Sequence, residues 1–284
     1  HADAGIRDAQ ESRGLGDVYK RQSLDLLVDA DRLAQPPSPL EARASLLRAV
    51  GAIPESQEPV AGTPAHGGSV ADALRVAYRR WLLGIAVRDL SGLAGMESVA
   101  AWLSDLADAT LEAALAIARH EVGKSAFTCR LAVIGMGKCG GRELNYISDV
   151  DVIFVAEAAD GCDESDALRA ASLLAAALMQ ACSEVTAQGS IWEVDAALRP
   201  EGKQGALVRT LPSHRGYYER WASTWEFQAL LKARFCAVDA DLGTRYMDAI
   251  SPLVWKAADR PDFVADEKAT VSYTHLTLPT NREV

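Results

Sequence analysis

The chain has 284 residues, enough for two domains of ordinary size, each with its own core. Hydrophobic residues make up 49% and charged residues 24%, the balance of a soluble globular protein. A formal net charge of −10 argues against broad binding to nucleic acid or acidic membrane, while leaving room for a local basic pocket. The five cysteines (Cys129, Cys139, Cys162, Cys182, Cys236) are odd in number and hold no CxxC pair. They point to reduced thiols, not to a disulfide framework or a zinc site. No apolar stretch approaches the roughly 18 residues of a membrane span and no signal peptide opens the chain, so a cytoplasmic location is expected.

The chain starts at His1 instead of Met and is expected to be a fragment of a longer reading frame. ESRGLGDVYKRQ (11–22) and VSYTHLTLPTNREV (271–284) resemble peptides made when sequencing-adapter DNA is translated in frame. Segments 1–22 and 271–284 are therefore expected to be foreign. A helical region is expected over 23–125. Within it, residues 23–50 look like helical fragments broken by Pro36, Pro37 and Pro39, and 53–69 reads as a linker or exposed loop. Leu74, Tyr78, Trp81, Leu82 and Ile85 recur at helical spacing, with arginines expected on the other faces. A second helix over 96–119 carries Val99, Trp102, Leu103, Leu106, Ala113 and Ile117, and Trp81 and Trp102 read as core of a helical pair.

From residue 126 the character changes to α/β. The pattern predicts a strand over 130–135, a short helix over 141–147 and a strand over 150–156. A helix over 164–187 follows, with Leu173, Leu174, Ala177, Leu178, Ala181 and Val185 as its buried face and Gly189 as its stop. Residues 190–210 read as strand, basic glycine loop and strand. Helices are expected over 213–222 and 224–237, and from about residue 242. These give a catalytic domain over 126–240 and the start of a further helical domain over 241–270.

The chemistry concentrates in LAVIGMGKCGGRELNYISDVDVIFVAE (131–157). Strand side chains alternate, so Asp149 and Asp151 share a face. Two carboxylates so close repel unless a cation lies between them, and Asp151 within an apolar run needs a partner. Asp195, in IWEVDAALRP, stands in a similar setting; Glu193, two residues earlier on the same face, remains an alternative. If the two strands are neighbours, three carboxylates converge and offer hard oxygen ligands to one or two Mg²⁺. Lys138, Arg199, Lys203 and Arg209 lie close in sequence and suit phosphate. Gly135, Gly137 and Gly140 spell GxGxxG, with Glu157 about 22 residues on, as in a dinucleotide fingerprint. The gap between the strands is too short for a crossover helix, which argues against that reading. His66, His120 and His214 have no partner pattern and read as surface or core residues.

At these residues the sequence resembles a known family. GMGKCGGRELNYISDVDVIF is very similar to the signature of glutamine synthetase adenylyltransferase/adenylyl-removing enzymes, in the nucleotidyltransferase-beta superfamily. Gly140-Gly141 and Asp149-Val150-Asp151 fill that superfamily's glycine turn and acid pair. VDAALRPEGKQGALVRT (194–210) and TWEFQALLKAR (224–234) match the same family, and the similarity covers roughly 70–264. The resemblance implies an α+β fold: a polymerase-beta-like mixed sheet with a helical preamble and a helical C-terminal extension. It implies that Asp149, Asp151 and Asp195 are catalytic and hold Mg²⁺. Lys138, Gly140, Gly141, Ser148, Arg199 and Lys203 are then expected to serve nucleotide and phosphate. ELNYISD and KAR look more like the family's N-terminal copy, in its actinobacterial form. That copy removes AMP from a modified tyrosine of glutamine synthetase by phosphorolysis, yielding ADP. The alternatives are forward transfer of AMP from ATP, and a non-catalytic nucleotide-sensing or partner-binding module. The implied partners are glutamine synthetase and, through the full-length enzyme, a PII-type signalling protein, with no nucleic acid and no membrane.

Overall fold

A computed structural model of the chain describes residues 33–64 and 67–259. The expectations for residues 1–32, 65–66 and 260–284, among them both foreign segments and His66, lie outside the described residues. The chain divides into two compact units that interleave in sequence. One comprises the described residues up to Glu121 with Arg142–Ile147 and Ala177–Trp192; the other comprises Val122–Gly141, Ser148–Ala176 and the described residues from Glu193. The sequence pattern suggests contiguous regions with boundaries near residues 125 and 240; contiguous periodicity does not register exchanged segments.

The first unit is helical. Helix α1 (Pro39–Ala49) begins at Ser38, whose hydroxyl accepts the Glu41 N–H at 3.4 Å, and Pro39 occupies a position that needs no donor. Helix α2 (Val70–Leu90) is capped likewise, Ser69 accepting from Asp72 at 3.0 Å. Helix α3 (Met96–Val122) buries Leu111 and Ala113 to Ala116 completely, the pattern of a core helix. Trp81 and Trp102 are half-buried and line one small cleft with Ile85 and Leu106. The expected linker is partly structural: Pro59 and Ala61 are buried, and the Ala61 N–H donates to Ala116 of α3 at 2.8 Å.

The arginines of α2 depart from the amphipathic expectation. Arg75 is fully buried and Arg88 nearly so. Backbone carbonyls explain it: Arg75 donates to Gly189 at 2.7 Å, to Ala71 at 2.8 Å and to Glu184, while Arg88 donates to Gly84 at 2.6 Å and Gln35 at 2.9 Å. A buried cation is tolerated when its donors are satisfied.

The second unit is built on a mixed sheet in the order β3-β2-β1-β5, with β4 also pairing β2. Strand β1 (Cys129–Gly135) runs antiparallel to β2 (Val150–Ala158) and to β5 (Arg234–Val238); β3 (Val194–Asp195) and β4 (Val208–Thr210) run parallel to β2. Between β1 and β2 the helical turn α4 spans Gly137–Gly140. The helix expected over 141–147 does not form. Arg142 takes φ +57° and pairs with Asp105 at 2.6 Å, Leu144 is buried, and Tyr146 donates to Asp89 at 2.8 Å, so the segment joins the helical unit.

Helix α5 (Glu164–Ser183) ends four residues early, and Gly189 closes a small turn with Thr186 instead of capping it. Its buried residues include Ala167, Ala171, Leu174, Ala175 and Leu178, whereas Leu173 and Val185 are exposed: alanine packing prevails over the leucine pattern. Helices α6 (Leu211–Arg220), α7 (Thr224–Leu230) and α8 (Ala240–Ala258) follow. The chain expected to continue α7 to residue 237 instead becomes β5, pairing with β1 through a bulge at Val133/Ile134. Ladder partners override local helical propensity there. Helix α8, expected to open a further domain, packs Leu242, Tyr246, Ile250 and Val254 into one core with Ala132, Ile134, Ile153 and Val155 of the sheet.

In that core His214 is buried between aromatic rings, its Nε2 3.5 Å from the Phe154 carbonyl and its ring edge-on to Tyr246 at 5.3 Å. Burial, only partly opposed by that carbonyl, pushes its pKa down to about 4. The unfolded chain takes up a proton near the ordinary value of about 6.5 and the folded chain does not. Stability contributed by neutral His214 is therefore present above about pH 6.5 and declines as pH falls toward about 4. Urea unfolding across that window will show the decline, and His214→Phe will flatten it. In the helical unit, Arg75→Met removes three hydrogen bonds from a buried cation to backbone carbonyls; the same measurement will show a loss on the order of 3 kcal/mol.

Candidate active site

Strand β1 runs out at Gly135, and the chain turns through Met136 into α4. The Met136 N–H donates to the Asp151 carbonyl at 2.8 Å, so the turn is tied to the start of β2. Asp149 lies one residue before β2 and is exposed; Asp151 is its second residue and half-buried. On the far side of β2, the register sets Val150 against Val194 and Asp151 against Asp195. One carboxylate oxygen from each of Asp149, Asp151 and Asp195 lies within 4.8 Å of the others. Glu193 is exposed one residue before β3, where its carbonyl accepts the Val150 N–H at 2.9 Å. The three aspartates, and not Glu193, form the cluster.

Electrostatics match the geometry. Burial first, then the charges of Asp149 and Asp195, raise the Asp151 pKa, and Lys138 partly opposes them. The ionised trio is therefore under strain that a hard cation relieves. Asp195 is held in place, its Oδ1 accepting the Ala197 N–H at 2.7 Å.

The glycine turn meets the acids at Gly137. Its φ is +51°, and a Cβ there would stand 2.5 Å from Asp151 Oδ2. Only glycine fits this combination of dihedral and contact. Gly140 is buried and approaches the chain's own backbone, at the Lys232 carbonyl and at Gly135 O (2.5 Å from a Cβ), so packing alone requires glycine there. Gly141 ends the turn, its N–H donating to Gly137 at 3.0 Å. Ser148 is half-buried directly before Asp149.

Of the expected phosphate cations, Lys138 is exposed on α4 and Lys203 is exposed on a short turn over Gly202–Gln204. Arg199 does something else. It donates to Ala196 at 2.7 Å, to Gly205 at 3.1 Å and to Lys203 at 3.2 Å, closing the loop that follows Asp195. Most of its donors are spent on these carbonyls. Arg209 pairs with Glu201 and lies over the Tyr217 ring at 5.9 Å. Sequence reasoning missed Gly137, whose signal lay in the GxGxxG string, and Arg234, which reaches α4 from β5.

The dinucleotide reading fails on two counts. Strands β1 and β2 are antiparallel, and Glu157 sits at the end of β2 away from the turn, 2.5 Å from Arg245 and 3.8 Å from Arg130.

A mixed sheet whose antiparallel first strands carry a glycine turn and an acid pair, met by a third acid from a parallel neighbour, defines a nucleotidyltransferase-like α+β domain. The sequence profile of the glutamate-ammonia ligase adenylyltransferase (GlnE) family matches residues 15–249, and the chain belongs to that family. It is similar to proteins named bifunctional glutamine synthetase adenylyltransferase/adenylyl-removing enzyme. The one from Streptomyces avermitilis is 62% identical over 68% of this chain and 19% of its own length. Those from Cutibacterium acnes and Leifsonia xyli are 52% and 44% identical, over 79% and 91% of this chain and 23% and 26% of their own. The chain thus spans about a fifth to a quarter of the relatives it matches. Among the described residues no helix is long and apolar enough to cross a membrane.

Because ionised Asp151 is disfavoured in the fold, Asp151→Asn will raise the melting temperature without divalent cation. If the trio takes a divalent cation, Mg²⁺ is expected to raise the melting temperature of the wild type and not that of the variant. Calorimetric scans with and without Mg²⁺ check both signs.

Proposed function

We propose that this chain carries an adenylyl-removing centre, acting with a divalent cation and inorganic phosphate on adenylylated glutamine synthetase. The observation that carries the reading is the convergence of Asp149, Asp151 and Asp195 beside the glycine turn. Their fit to Mg²⁺ rests on the donor set, three hard carboxylates, and on the raised pKa of Asp151. When bound, the cation supplies neutralisation of phosphate charge.

The chain's own residues orient and balance charge. Asp149, Asp151 and Asp195 hold the cation; Gly137 lets the turn lie close to Asp151; Lys138 and Lys203 offer exposed positive charge to phosphate. Arg199 keeps the loop after Asp195 closed. In the reaction an oxygen of inorganic phosphate attacks the phosphorus of tyrosine-linked AMP. The bond to the tyrosyl oxygen breaks, that oxygen takes a proton, and ADP leaves. No covalent nucleophile of the protein is required, since such transfer depends on positioning and charge. The removing direction is supported by the likeness of ELNYISD and KAR to the family's N-terminal copy, and the relatives' shared name includes both directions. Control by a PII-type protein belongs, in this reading, to the full-length enzyme, which works in the cytoplasm.

Incubation of the chain with Mg²⁺, phosphate and adenylylated glutamine synthetase is expected to release ADP, and Asp151→Asn to slow that release at least about 100-fold. Labelling of unmodified synthetase from ATP without ADP release would reverse the direction. Full activity in Asp151→Asn would sink the metal-site assignment.

A further inference from the structure

We propose that Arg234 is a positioning residue that locks the α4 turn against Asp151 and thereby sets the geometry of the three carboxylates. The proposal rests on the reading of the trio as a divalent-cation site.

The turn cannot hold itself. It spans Gly137–Gly140, with the Gly140 N–H donating to Met136 at 2.8 Å and the Gly141 N–H to Gly137 at 3.0 Å. A single helical turn is unstable alone, and the carbonyls at its C-terminal end lack the full set of partners that a longer helix supplies. Arg234 meets that need from the neighbouring strand. Its Nε donates to the Gly140 carbonyl at 3.2 Å and its terminal nitrogen to the Cys139 carbonyl at 3.1 Å. The other terminal nitrogen donates to the Phe235 carbonyl at 3.3 Å, so one planar group ties the turn to β5. A cation at the C-terminal end of a helical turn also suits its dipole.

The linkage reaches the acids without interruption. Arg234 pairs with Gly135 in the β1–β5 ladder, which fixes its root relative to the end of β1. The Lys232 carbonyl presses on Gly140 from the same segment. At the other end of the turn, Gly137 lies against Asp151 Oδ2, and Lys138 supplies the positive charge nearest in effect to that carboxylate. If Arg234 is lost, the turn drifts, and Asp151 loses both the wall that limits its rotation and the placement of Lys138. Lysine cannot substitute, because a point charge on a flexible stem does not span two carbonyls as a guanidinium fork does.

The test is Mn²⁺ binding, read by electron paramagnetic resonance of the uncomplexed ion, for the full chain and for Arg234→Lys, Arg234→Met, Asp151→Asn and Arg75→Met. Both Arg234 variants are expected to bind Mn²⁺ about tenfold more weakly or worse, the size of effect typical of groups that orient ligands. Arg75→Met, which loses hydrogen bonds made entirely within the helical unit, is expected to keep wild-type affinity, which separates positioning from general loosening. If Arg234→Met does not fold, Arg234→Lys carries the test. Wild-type affinity in Arg234→Lys and Arg234→Met would overturn the proposal. Wild-type protein that binds no more Mn²⁺ than Asp151→Asn would overturn the cation-site reading itself, and this proposal with it.

Discussion

Mutual repulsion among three carboxylates at the head of β2 is the constraint around which the sheet unit is arranged. Asp151 faces Asp195 across a parallel pairing only two residues long, and Asp149 stands just outside it. Strand periodicity makes that register decisive: a slip of one residue would put Asp195 on the opposite face. The register is secured by the Val150–Glu193 hydrogen bond at 2.9 Å and by the Ala197 N–H on Asp195 at 2.7 Å. Arg199 then closes the loop behind Asp195, donating to its carbonyls at 2.7 to 3.2 Å. The charge tension is concentrated where a cation can relieve it.

The opposite end of the same strands shows the contrast. Arg130 of β1 pairs with Asp239 at 2.7 Å and Asp241 at 2.9 Å, and Arg245 of α8 pairs with Glu157 of β2. Half-burial pushes the Asp239 carboxyl up, but hydrogen bonds from Arg130 and from the Leu242 N–H outweigh it and hold the group below the usual range. Acids at that end have resident partners, whereas burial and like charge dominate at Asp151. The sheet is thus electrostatically polarised, with a closed ion network at one end and an acidic cluster at the other. Helices α6 to α8 pack against the sheet's Ala132/Ile134 face in one buried core.

Much of this was legible in the sequence, for physical reasons. The alternation in DVDVIFVA placed Asp149 and Asp151 on one side, and the family block around Asp195 marked the third acid. Less legible was whatever depends on long-range partners. Strand β5 hides within a helix-like pattern because its ladder with β1 is formed over about a hundred residues of sequence. Arg75 and Arg88 look solvent-facing until the carbonyls that receive them are known. The glycine string illustrates both sides. Its resemblance to a dinucleotide fingerprint is misleading, yet Gly137 and Gly140 are each demanded by contacts with Asp151 and with Lys232. Arg199 reads from sequence as a surface charge or phosphate contact and Arg234 carries no signal of its own; their hydrogen-bond partners lie in the loop and the turn that frame the acids.

The central claim is that the trio is one cation site assembled by the β2–β3 register. Anomalous diffraction from crystals of the chain soaked in Mn²⁺ tests it most directly. The account predicts a peak within coordination distance of carboxylate oxygens from Asp149, Asp151 and Asp195 together. Mn²⁺ bound elsewhere, with the three aspartates turned apart and unligated, would contradict it.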